Sequence, residues 1–327
     1  MKKDGRSGNA RHWHVGAVGL LMMLACMPAR ADLVILPTYD GTVSAAAQTA
    51  FNTVVSLFEA TYSGTANMTV GIDVTFNGGC TGGCLGQSTT TLVAYSYSQW
   101  YNAMGADAAA NPGNTYLAAG YASLPATNPY ANAGNPSDYV GMTYANAQAL
   151  GLESGSYFMD STIAFNPSQT FEYTGTATAG DYDFMNTAEH ELDEALGIGS
   201  GLNPGFPFPG ANMAEDYFRY ASNGVRGSST DSTQSVYFSY DGGLTNVQTF
   251  NTVSGGDFND WAQECGTPHV QDAFTCSGVA STYDSNSPEF AVMSTLGYDG
   301  TAPEPGTWAL MGGALGGLAL LRRRVAR

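Results

Sequence analysis

Between Asp32 and Ala302 the chain has no lysine, and only two arginines, Arg219 and Arg226. The other nine of its 11 basic residues lie before Asp32 or after Trp308, whereas 26 of the 28 acidic residues lie inside that body. A body with two positive and 26 negative charges carries a formal −24, which repels phosphate backbones at ordinary salt and excludes nucleic-acid binding. Histidine is scarce as well: after His12 and His14 only His190 and His269 remain. There is no internal repeat, and no composition break strong enough to split the body. What is present is 43% hydrophobic and 12% aromatic residues in 327, ample for a packed core.

The amino end combines Lys2, Lys3, Arg6 and Arg11 with an apolar run from Val15 to Met27 and the small-x-small triplet Ala29-Arg30-Ala31. That order predicts a secretory signal peptide over residues 1–31, because a run this short falls below the roughly 20 residues needed to span hydrocarbon. Four cysteines then remain, as Cys80 and Cys84 in C-T-G-G-C and as Cys265 and Cys276. Export makes disulfides the default, and of the three possible pairings the two local ones are favoured.

Thr42 to Tyr62 places Phe51, Val54, Val55, Leu57 and Phe58 at helical spacing, and the alternating Met68, Val70, Ile72, Val74 and Phe76 predict a strand. Gly78 to Gly86 reads as a glycine-rich turn, Tyr95 to Met104 as a helix, and Asn111 to Pro136 as a long irregular loop. Ser161 to Asn166 is a short strand, Ser235 to Phe250 a hairpin, and Glu289 to Leu296 a closing helix. Between them Asn186, with Glu189 three residues on, predicts the N-cap of a further helix that Gly197 stops.

That helix carries H-E-L-D-E-A-L-G, His190 to Gly197. It is the H-E-x-x-H sequence of zinc peptidases with Glu194 in the place of the second histidine. Residues at i and i+4 share one helix face, so His190 and Glu194 are candidate metal ligands and Glu191 the candidate general base. A carboxylate is an acceptable zinc ligand, but an added anion reduces the Lewis acidity of the metal. A weaker hydrolase, another metal and a lost activity all stay open. A third ligand is required; Ser200, ten residues after His190, is a poor one, so Asp216, then Glu215, then His269 are the candidates. Asp257, Asn259 and Asp260 in G-G-D-F-N-D-W have the residue types of a calcium loop.

Two resemblances add to this reading. Residues 303–327 run P-E-P, an apolar segment from Trp308 to Leu321, then an arginine cluster, and the tail resembles the PEP-CTERM sorting signal. It implies export by a Gram-negative bacterium, transient inner-membrane anchoring by a short transmembrane segment, processing by an exosortase, and a final place at the cell surface or outside it. In the body, Y-D-F-M-N-T-A-E-H-E-L-D-E-A-L-G-I-G-S is followed by A-E-D-Y-F-R-Y, Y-F-S-Y-D-G-G, G-D-F-N-D-W, V-Q-D-A-F and L-G-Y-D. These blocks resemble a zincin-like metalloprotease family of exported PEP-CTERM proteins. The resemblance implies an α+β fold over residues 32–302, with a mixed sheet, an active-site helix and long loops. It also implies a zinc cofactor and peptide or protein substrates. The competing reading is a non-catalytic matrix or surface protein on the same scaffold.

Overall fold

The computed structural model describes residues 33–65, 68–131, 138–155, 160–175, 177–208, 210–227, 233–262 and 265–300. The expected signal peptide, residues 1–31, and the expected sorting tail, residues 303–327, lie outside them. No helix among the described residues is long and apolar enough to cross a membrane.

The fold is α+β with mixed sheets. Its main sheet has the order β1-β2-β4-β3, in which β1 (Leu33–Tyr39), β2 (Met68–Thr75) and β4 (Ser161–Phe165) run parallel and β3 (Gly86–Thr90) runs antiparallel on the edge. The alternation read in the sequence is the cause of β2: Met68, Val70, Ile72 and Val74 are buried and the residues between them are not. Helix α1 (Ala45–Thr61) buries Phe51, Val54, Val55 and Phe58, and Ser44 caps it by accepting from the Ala47 amide. Ser161 to Phe165 is paired on both sides, and the edges of the sheet are β1 and β3, the latter following directly on the glycine-rich turn. The turn is present too, closed by the Cys80–Cys84 disulfide, and Cys265 pairs with Cys276. Both bonds are as expected for an oxidising, exported setting.

Residues 111–136 are not wholly irregular. They hold a helix, Thr115–Ser123, begun by Asn114, whose side chain accepts from the Leu117 amide. That asparagine was hidden in a run of Asn, Pro and Gly that reads as loop. The hairpin near residue 240 is present as antiparallel strands Tyr237–Phe238 and Gln248–Thr249, and the closing helix spans Pro288–Thr295.

The motif helix spans Phe184–Leu196 and is packed against α1, β3 and β4 through a core in which Phe165 and Phe184 rings lie 4.5 Å apart. Its cap is Asp183, accepting from the Met185 and Asn186 amides, not Asn186. A carboxylate three residues upstream is the stronger acceptor for an N-terminus, and it moves the start of the helix back one turn. Glu189, freed from the capping role, points inward and is pushed up to about 8, by burial first and then by the charges of Asp183 and Glu289.

Acids of this kind give stability a sign. Glu189 at about 8 and Asp107 at about 7, the latter raised by burial and then by Asp299, bind protons in the folded state that the unfolded chain has already lost. Their contribution to folding stability is therefore fully present below pH of about 4 and is lost as pH rises through 7 to 8. Metal-stripped protein is expected to melt at least about 5 °C higher at pH 5.5 than at pH 8.5. Equal melting temperatures at matched ionic strength would contradict it.

Candidate metal centre

One turn of helix separates His190 from Glu194, and both side chains reach the same small opening, 15% and 14% exposed. The His190 Nε2 lies 3.8 Å from Glu194 Oε1 and 3.7 Å from Asp260 Oδ1. Two ligands on a tetrahedral zinc are separated by about 3.4 Å, so both distances from His190 stand a few tenths of an ångström outside a closed coordination edge, and all three atoms lie within 4.8 Å of one another. His190, Glu194 and Asp260 form a group that can hold a metal ion.

The ring of His190 is set by its other nitrogen. Nδ1 lies 3.0 Å from the Val270 carbonyl oxygen, which can only accept, so Nδ1 carries the proton and Nε2 offers its lone pair to the group. The carbonyl is itself placed by Gln271, whose side chain donates to the His190 carbonyl oxygen at 2.9 Å. Glu194 is held from two sides: Ser88 Oγ of β3 donates to Oε2 at 2.8 Å, and Asn259 Nδ2 donates to Oε1 at 3.1 Å. Asp260 is anchored through its neighbours. Its carbonyl oxygen accepts from the Asn251 amide, and the Trp261 indole N–H donates to Glu289 in the closing helix.

Glu191 faces the edge strand. It is 96% buried, with Oε2 lacking a partner, and its carboxylate fills the space where a side chain on Gly86 would lie. Burial first, then the negative charges of Glu194 and Asp257, push its carboxyl well above the usual range. Asp260 is raised in the same sense, by burial and then by Glu194, Asp257 and Glu191. Asp257 is pushed up to about 6, by desolvation and then by Glu194, with His190 acting in the opposite direction. Four carboxylates around one imidazole repel one another. A divalent cation at the centre would relieve that repulsion, and the donor set therefore fits a metal.

The other expected ligands have different work. Asp216 accepts from Ser200 Oγ at 2.6 Å, the Gly201 amide at 2.8 Å and the Met213 amide at 2.9 Å, and Glu215 accepts from the Gly199 amide at 2.8 Å. Both brace the loop that leaves the motif helix, in the field of the buried Arg219, and neither belongs to the metal group. The His269 side chain is not in the group either; the residue contributes its backbone N–H to Asp272. Within the G-G-D-F-N-D-W segment Asp260 joins the His190 group, and Asn259 turns its N–H side, not its oxygen, toward the carboxylates. The sequence does not bring Asp260 to His190 and Glu194, because 66 positions separate it from Glu194 and no spacing rule spans that distance.

The contact between β3 and Glu191 gives a direct test. A valine at Gly86 would occupy the volume of the Glu191 carboxylate, so Gly86→Val is expected to cost about 1–3 kcal/mol of stability and to displace Glu191. Metal content should be kept, since none of the three ligands is touched. Thermal melts and elemental analysis of the purified variant check both; an unchanged melting temperature would contradict this packing. Comparison of the chain with protein-family models, curated proteins and solved structures finds no match.

Proposed function

We propose that the chain is an exported zinc-dependent peptidase of zincin type, with His190, Glu194 and Asp260 as metal ligands and Glu191 as general base. The observation that carries this reading is the convergence of three donors from two distant segments beside an antiparallel edge strand that touches the base. Zinc, when bound, would polarise a peptide carbonyl and stabilise the oxyanion that forms from it. β3 is an edge strand of the sheet, and an extended peptide pairing along it would bring its scissile bond beside the motif helix. Glu191 takes the proton of the attacking water and passes it to the leaving amine. Burial and neighbouring acids raise its proton affinity, the property such a base needs. The tail would be the substrate of an exosortase after transient membrane anchoring, leaving the body at the cell surface.

A second reading, a metal-binding surface protein without hydrolysis, is favoured by one observation: Glu191 is only 4% exposed. Purified body, residues 32–302, loaded with zinc and incubated with a denatured protein substrate decides between them. Chelator-sensitive cleavage supports the peptidase; bound metal with no cleavage selects the second reading.

A further inference from the structure

We infer that Asn203, which is not itself a donor to the metal group, positions both of its carboxylate ligands through Asn259; the inference rests on the metal-site reading above. The relay begins at a backbone amide, whose polarity is fixed. The Phe258 N–H donates to Asn203 Oδ1 at 2.8 Å, so the other end of that side chain, Nδ2, must face Asn259. Asn203 Nδ2 donates to Asn259 Oδ1 at 2.7 Å, which in turn turns Asn259 Nδ2 toward the site. That nitrogen has two hydrogens and two acceptors: Asp260 Oδ1 at 2.8 Å and Glu194 Oε1 at 3.1 Å. These are the same two oxygens that face His190 Nε2.

Each oxygen thus has one lone pair taken by an N–H and keeps another for a cation. The amide offsets part of the repulsion between Glu194 and Asp260 and holds both at a spacing suited to one ion. Asn259 is 1% exposed, so water does not replace this role. Reversing it would point a carbonyl oxygen at two carboxylates. Asn203 opposes the reversal as well, because a backbone donor fixes Asn203 and Asn203 donates to Asn259 Oδ1.

Asn203→Asp isolates this function. The aspartate still accepts from the Phe258 N–H and has nearly the same shape, but it cannot donate to Asn259. Zinc affinity, measured by competition with a chromogenic chelator on the mature body, is expected to fall about 10–100-fold. The visible spectrum of the cobalt-substituted variant should shift, while the metal-free melting temperature falls by no more than the few degrees expected for one lost buried hydrogen bond. Direction is informative here: an extra negative charge acting through space would tighten cation binding, so a loss cannot be a charge effect. Where Asn203→Asp does not fold, Asn203→Ser, with a hydroxyl too short to reach Asn259, is read by the same criteria. Wild-type zinc binding with variant affinity within about twofold and an unchanged cobalt spectrum overturns the relay and leaves the metal site standing. Failure of the wild type itself to bind zinc overturns both.

Discussion

Asp260→Ala is expected to abolish stoichiometric metal binding, with an affinity loss greater than the roughly 10–100-fold that follows removal of an outer-shell partner. The expectation comes from geometry: Asp260 Oδ1 is the one donor of the group supplied from outside the motif helix, 3.7 Å from His190 Nε2. Without it, two ligands on one helix turn grip the ion from a single side. The informative control is Asp216→Ala. That change leaves Ser200 Oγ and the Gly201 and Met213 amides without their acceptor, and each buried donor left unpaired costs about 1–3 kcal/mol. The Asp216 variant should therefore lose stability and keep its metal, and the Asp260 variant should do the opposite. Chelator titration and thermal melts on the two proteins give the comparison. Equal metal affinity in wild type and Asp260→Ala would remove Asp260 from the site.

Glu191→Gln should leave metal content unchanged and lower hydrolysis about 10²–10⁴-fold, the usual contribution of a positioned general base. Glutamine keeps the volume under Gly86 and removes the ability to accept a proton, so packing and chemistry are separated. Initial rates on a denatured protein substrate, at equal zinc occupancy, test the assignment. A variant with wild-type rates would show that Glu191 is a packing residue of the helix and edge strand.

Much of this was legible in the sequence, for reasons that can be named. Periodicity found β2 and α1 because each has one face in the core and one outside it. The motif helix was found because its residues carry both a chemical pattern and a stop at Gly197. What could not be read was distance in space. Asn186 looked like a cap because its spacing to Glu189 fits a capping box, yet Asp183 lay nearer the true start and won. Glu215 and Asp216 looked like ligands because acids a short way past the motif are common solutions. Here burial beside Arg219 and a loop rich in backbone donors drew them inward. Glu194 itself reads, in sequence, as a histidine replaced. In the structure Ser88 and Asn259 both donate to it, so a carboxylate is what its surroundings accommodate. Those donors come from positions 106 and 65 residues away, which no local pattern reports.

The central claim is that His190, Glu194 and Asp260 together hold one metal ion. Elemental analysis of the purified body, after zinc loading and exhaustive dialysis against metal-free buffer, tests it most directly. The account predicts about one zinc per chain in the wild type and none in the triple alanine variant of those residues. A wild-type protein that retains no metal, or a triple variant that retains as much as the wild type, would contradict it.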